Sequence, residues 1–324
     1  MGLDRVLGQD KQVEYLRKLL EKRNIPSTLL FVGPKGVGKF FTAVQFAKAL
    51  NCKAEPFNGC DKCKSCIAID NKLHPNLKII NGDTIGIDDV RSVINSSFVP
   101  IYGYRVNIFV DVENATIQAF NSMLKYLEEP PKNTLNILIA ESDEHLPQTI
   151  VSRSVVVRFN KLPLNVVEEI ISTKIEDEDR RGTVAHILNG SLENLPRLID
   201  EETYKKRKRL LTSFLMLLKK EETTTTLLNR FKDYYGDFTF DSCRNFIDEL
   251  LDLMEDIVFI VVKKDTDLVK NIDLLGFIAD EFLTYNMKKV YEYSKLFAEK
   301  KEALFSNANQ FNIILSALFT IEYA

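Results

Sequence analysis

The stretch TLLFVGPKGVGK, residues 28–39, decides the fold. Its first five residues, Thr28 to Val32, form an apolar run of strand length. Such a run, with no polar face, belongs inside a parallel sheet covered on both sides. Gly33, Pro34, Lys35, Gly36, Val37, Gly38 and Lys39 follow, and Gly38 to Leu50 reads as a helix. In that context glycines let successive backbone N–H groups curl round a phosphate. The helix N-terminus adds its dipole, and the closing lysine reaches the terminal phosphates. The segment therefore reads as a phosphate-binding P-loop.

Outward from this segment the same alternation continues. Leu77 to Ile80, Val106 to Val110, Leu135 to Ala140 and Val155 to Phe159 read as further strands. Ile87 to Ser96 and Ala115 to Glu128 read as helices, the second stopped by Pro130 and Pro131. Strands alternating with helices predict an α/β domain with a parallel sheet over residues 1–160. The pattern changes at Lys161 to Leu164. A small helical domain is expected over 161–204. An all-helical C-terminal domain is expected over 205–324, where apolar residues recur at helical spacing.

The loop lacks parts that phosphoryl transfer needs. Position 40, after Lys39, is Phe, where an active loop has a hydroxyl to ligate Mg²⁺. Thr42 is two residues on and points elsewhere. Asp111, at the end of the third strand, fits a second Mg²⁺ contact. The next place, where many such enzymes carry a water-activating Glu, is Val112. Glu113 comes one residue late, and on an extended strand end that shift points it to the other face. Both losses argue against hydrolysis.

Four of the five cysteines crowd together: Cys52, Cys60, Cys63 and Cys66, with spacing C-x7-C-x2-C-x2-C. A two-residue gap lets two thiolates of a tight turn face one ion. Four sulfurs close a tetrahedral site, so Zn²⁺ there would be structural. An iron–sulfur cluster is the rival, although the Cys-Pro expected downstream of a ferredoxin run is absent. Four free thiols are the remaining alternative. Cys243 reads as a small buried hydrophobe. The net charge of −3 excludes a polybasic nucleic-acid coat. The longest apolar run, Ile257 to Val262, is far short of the roughly 20 residues that span a bilayer. The N-terminus MGLDRVLGQD has no apolar signal core. Both features lead to the expectation of a cytoplasmic protein.

Several motifs together resemble bacterial clamp-loader subunits of the AAA+ class. Val6-Leu7-Gly8-Gln9 is similar to the family's VxGQ opening, and the four-cysteine insertion to its zinc module. NSMLKYLEEPP, residues 121–131, resembles the NxLLKxLEEPP stretch, and LPQTIVSRS, residues 146–154, resembles LPxTIxSRC with Ser154 for the Cys. The match is dense over about 5 to 160. After about 205 it is architectural, where the family has a helical collar. The resemblance implies partners: other loader subunits, the sliding clamp, and primed DNA through the assembled complex.

The family includes ATP-hydrolysing motors and subunits whose own site has failed. A motor has an Arg at the end of a G-S-x-R motif, where this chain reads Gly190-Ser191-Leu192-Glu193. It also has a Thr at the end of the fourth strand, where this chain has Ala140-Glu141-Ser142. With Phe40 and Val112, these departures imply a largely inactive subunit whose own ATP site is doubtful and which completes a neighbour's. Taken alone, Arg153 reads as a surface arginine in a local salt bridge. The resemblance implies a finger acting in trans on ATP held next door. An active motor, a stand-alone P-loop enzyme and a purely structural zinc protein are the alternatives. KKRKR, residues 205–209, reads as the solvated face of a helix that could also meet phosphates. His74, His145 and His186 show no triad or metal spacing.

Overall fold

Five strands make one parallel sheet: β1 Thr28–Val32, β2 Leu77–Ile80, β3 Arg105–Phe109, β4 Thr134–Ala140 and β5 Val155–Arg158. Their order across the sheet is β2-β3-β4-β1-β5, and every neighbouring pair runs parallel. β1, β3 and β4 are buried along their whole length, as their unbroken apolar character requires. The computed structural model describes residues 2–99, 101–266, 268–306 and 308–324.

Side chains of one strand alternate between two cores, one on each face of the sheet. Leu29 and Phe31 join one cluster with Ile137 and Ile139. Leu30 and Val32 join the other with Leu138 and Ala140. The helices that cover these faces are α1 Asp10–Glu21, α2 Lys39–Asn51, α3 Lys64–Asp70, α4 Ile87–Ser97, α5 Ile117–Glu128 and α6 Gln148–Val151. α5 starts on Thr116, whose side chain accepts from the Ala119 N–H. Asn107, the polar break in β3, is fully buried. Its amide donates to Asn136 Oδ1 on β4 (2.9 Å) and to the Tyr126 hydroxyl on α5 (3.1 Å). That hydroxyl in turn pairs with Ser97 of α4 at 2.6 Å. A buried polar residue thus fixes how strands and helices meet.

The chain divides into two compact units, one comprising residues up to Val166 together with Gly190–Glu193, the other Val167–Asn189 and Asn194–Ala324. Outside the sheet the helices are α7 Leu164–Ser172, α8 Glu178–Leu188, α9 Leu195–Ile199, α10 Glu201–Leu218, α11 Thr224–Tyr235, α12 Phe240–Val258, α13 Leu275–Glu281, α14 Met287–Ala303 and α15 Gln310–Tyr323. Asp200, Thr223, Thr239, Asn286 and Asn309 cap five of them through side-chain oxygens. α10, α11, α12, α14 and α15 share one large apolar cluster. This unit buries ionisable side chains, Arg207, Glu249 and Asp256 among them. Arg207 Nε donates to Glu249 Oε1 at 3.0 Å, and its Nη2 donates to Asn271 Oδ1 at 2.6 Å. Burial works against the Arg207 charge, but Glu249 holds it firmly protonated. No helix among the described residues is long and apolar enough to cross a membrane.

Candidate nucleotide loop, metal cluster and arginine

The loop leaves the carboxyl end of β1, where ligands of open α/β sheets bind. Val32 pairs with Ala140 on one side and Arg158 on the other, so Gly33 emerges between two strand ends. The Gly33 N–H donates to Ala140 O (3.3 Å), and the Phe159 N–H to Val32 O (2.7 Å). A Cβ at Gly33 would overlap the Phe159 carbonyl. Gly36 and Gly38 take φ of 72° and 94°, and Gly38 starts α2. Gln9 ties this end together: its amide donates to Asn160 O (2.7 Å) and Val37 O (3.3 Å), and its Oε1 accepts from the Asn160 N–H (3.3 Å).

The loop is closed by its own chain. Lys39 is buried, and its ammonium donates to the Gly33 and Pro34 carbonyls, the latter at 2.7 Å. Burial lowers its pKa, opposed by the nearby Glu141, Glu113 and Asp111 carboxylates. The segment Gly190–Glu193 lies against the loop. The Ser191 hydroxyl donates to Lys35 O (2.8 Å), and the Leu192 N–H to Gly36 O (3.0 Å). A Cβ on Gly36 would overlap the backbone nitrogens of Leu192 and Glu193. Sequence alone treats Gly190–Glu193 only as a departing motif, because 156 positions separate Ser191 from Lys35 and hide the pairing.

The Mg²⁺ positions are filled otherwise. Phe40 is half-buried against the apolar cluster of Phe31 and Phe46, with Lys72 Nζ 5.4 Å from its ring centre. Thr42 is buried, and its hydroxyl donates to Gly38 O at 2.8 Å, within the helix. Val112 is core. Glu113 corrects the strand expectation. β3 ends at Phe109, Asp111 takes φ of 50°, and residues 112–114 form a 3-10 turn, so alternation no longer applies. Glu113 Oε1 accepts from the Glu141 N–H at 3.0 Å, which puts its carboxylate among Asp111, Glu141 and Lys39. Its other oxygen is buried without a hydrogen-bond partner, and burial raises its pKa. Lys35 pairs with Glu141 at 3.4 Å.

The four cysteine sulfurs all lie within 4.8 Å of one another, three from the connection between α2 and α3 and Cys66 from the first turn of α3. Cys52 to Cys63 and Cys60 to Cys66 are both 4.0 Å apart. A tetrahedral metal with bonds of about 2.3 Å needs sulfurs about 3.8 Å apart, so the group can hold a metal ion. The N–H groups of Glu55 and Cys60 point at Cys52 Sγ (3.2 and 3.3 Å), and that of Cys63 at Cys60 Sγ (3.3 Å). Burial tends to raise Cys52, Cys63 and Cys66. In Cys52 and Cys63 the backbone N–H groups overcome it, and Cys63 falls to about 6. Burial together with the neighbouring thiols pushes Cys66 up. The loop is tied down by Lys48, a fully buried lysine in α2 that pairs with Asp70 (2.8 Å) and Asp61.

Arg153 follows α6. Its Nε donates to Glu128 Oε1 at 2.9 Å, Nη2 binds the same oxygen, and Nη1 donates to Thr149 O at 2.8 Å. Glu128 is the last residue of α5, in the LEEPP stretch, and no sequence signal marks it as a partner of Arg153. Arg153 stays one-third exposed, and three of its five N–H groups are used locally. The structure therefore gathers the P-loop with Asp111, Glu113 and Glu141, gathers the four cysteines, and gives Arg153 a separate anchor.

Residues 8–163 match the family described as DNA polymerase III, delta subunit. The Bacillus subtilis DNA polymerase III subunit tau is 30% identical over 207 residues, 60% of this chain and 37% of the relative. The delta' subunit of the same organism is 27% identical over 196 residues, 59% of this chain and 58% of the relative. The chain thus spans less than two thirds of either. A solved Thermotoga maritima protein related to the DNA polymerase III gamma subunit superposes with a TM-score of 0.47 at 19% identity, covering 90% of this chain and 99% of that one.

Proposed function

Residues 8–163 belong to the DNA polymerase III clamp-loader AAA+ family, and from that premise we propose that the chain acts as a delta-prime-like subunit. In this reading it does not hydrolyse ATP itself. It supplies Arg153 to ATP bound in a neighbour and helps to load the sliding clamp onto primed DNA in the cytoplasm. Its partners are the motor gamma/tau and delta subunits, the clamp, and DNA through the assembled complex. The AAA+ domain would run over 1–160, a small helical domain over 161–204 and a collar over 205–324. The ion on Cys52, Cys60, Cys63 and Cys66 would be structural Zn²⁺, since four sulfurs leave no open position.

One observation carries the reading: the P-loop is closed by its own chain. Its lysine binds the Gly33 and Pro34 carbonyls, and Ser191 and Leu192 bind the Lys35 and Gly36 carbonyls. Phe40 adds no Mg²⁺ ligand. An arginine is useful to such a subunit only next door. Phosphoryl transfer develops charge on the γ-phosphoryl oxygens, and a guanidinium placed there from an adjacent subunit stabilises it. Glu128 holds the Arg153 guanidinium at the end of α5.

The experiment is a reconstituted loader carrying Arg153→Ala. Fingers of this kind contribute about 10³ to 10⁵ in rate, so clamp- and DNA-stimulated hydrolysis at one site should collapse while assembly stays intact. Unchanged loading would remove Arg153 from the mechanism. The active-motor reading is favoured by the tau relative and by Glu113, whose carboxylate does face the loop. Steady ATP turnover by the isolated chain would establish it instead.

A further inference from the structure

The KKRKR run lies in α10 and does two different things. Arg207 turns into the core and pairs with Glu249. Lys205, Lys208, Arg209, Thr212, Ser213 and Met216 recur at i, i+3, i+4, i+7, i+8 and i+11, which places them on one helical face. On an amphipathic helix that spacing carries an apolar seam. Here it carries three cations and two hydroxyls, and it lines a groove of about 430 Å³ completed by Glu222 and by Arg230 of α11.

The lining holds four cations against one carboxylate, Glu222. Lys205 is drawn to Glu201 (2.5 Å) and Arg209 sits 3.8 Å from Glu202, both on the exposed surface. Lys208 and Arg230 make no ion pair among the described residues. Ser213 is only 3% exposed, and its hydroxyl has no hydrogen-bond partner. Buried hydroxyls are normally satisfied. An unsatisfied donor beneath unpaired cations calls for an acceptor-rich anion.

We propose that this groove binds a phosphate group, held between Lys208 and Arg230 with Thr212 and Ser213 as hydroxyl donors. The guanidinium fork matches two phosphate oxygens, the ammonium adds a point charge, and Met216 offers an apolar end beside them. The phosphate belongs either to a single-stranded nucleic acid or to a free anion. The site uses neither the P-loop nor Arg153, so it stands apart from the delta-prime reading.

The test uses the full chain and anisotropy of a labelled oligothymidylate across a salt series. Inorganic pyrophosphate serves as the second probe and polyglutamate as an anionic control. Lys208→Glu with Arg230→Glu should weaken oligonucleotide binding about tenfold or more, and flatten the salt slope by about 0.7 for each phosphate no longer neutralised. Ser213→Ala should weaken binding at constant charge. Lys288→Glu with Lys295→Glu on α14, where the side chains are 81% and 68% exposed, makes the same charge change elsewhere and should have little effect. Each variant is also made with Lys39→Ala, which separates the groove from the P-loop, and circular dichroism confirms folding. If only pyrophosphate binds, and the groove variants abolish it, the proposal stands with a free anion as ligand. It is overturned if neither probe binds, if the α14 variants weaken binding equally, or if polyglutamate competes as well as phosphate.

Discussion

Glu113 shows how a single residue escapes a strand-based rule. A one-position shift reverses the face of a side chain only while the backbone stays extended. Asp111 at positive φ and the turn after it rotate Glu113 back toward Lys39 and the end of β4. The cost is burial of a carboxyl, which raises its pKa above 4.5. Both states are protonated below the ordinary range. As pH rises through 4.5 the unfolded chain releases its proton first, so stability falls until pH passes the folded value. Glu113→Gln keeps the acceptor for the Glu141 N–H and removes this effect. We expect the variant to gain stability over the native chain as pH rises from 4.5 toward neutrality, measured by urea unfolding at a series of pH values. A difference constant with pH would refute the assignment.

At the scale of elements, the α2–α3 connection depends on its four sulfurs and on the buried Lys48 pairs. The loop has little apolar core beyond the cysteines themselves, so a bound ion would be its main organiser. Cys66→Ser removes the fully buried thiol. Bound zinc should drop from about one per chain toward none, and hydrogen exchange of α3 should rise. Retention of a full equivalent of metal would show that Cys66 is not a ligand. Chelation of the native protein should produce the same local loss of protection. The P-loop and the Gly190–Glu193 segment form another such unit, because the bonds that cover the loop come from a part of the chain far away in sequence.

For the molecule as a whole, each unit has its own apolar core, and the helical one packs aromatic rings among its leucines and isoleucines. Phe231 is fully buried, stacked on Phe238 at 4.3 Å and edge-on to Phe246 at 5.2 Å. Phe231→Ala should cost about 3–5 kcal/mol through lost burial and the cavity left behind, read as a shift of the urea midpoint. Glu249→Ala should cost about as much for a different reason, because it strands the Arg207 charge inside the unit. If both changes prove nearly neutral, this core is not packed as described.

The alternation of apolar strands with helices is legible from sequence alone, because strand period and burial on both faces are local signals. β1 and β2 fall on the expected residues, and the other strands begin or end within one residue of them. The P-loop and the cysteine cluster are equally legible, since their spacing is short and their chemistry is carried by neighbours in the chain. The sequence also shows what is missing at Phe40. Only the tertiary structure decides what fills that space. Ser191 on Lys35, Glu128 on Arg153, Glu113 on the end of β4 and Lys208 with Arg230 across one groove all join residues far apart in the chain. No local periodicity encodes such pairs. They arise when strand order, turn geometry and helix packing bring distant segments together.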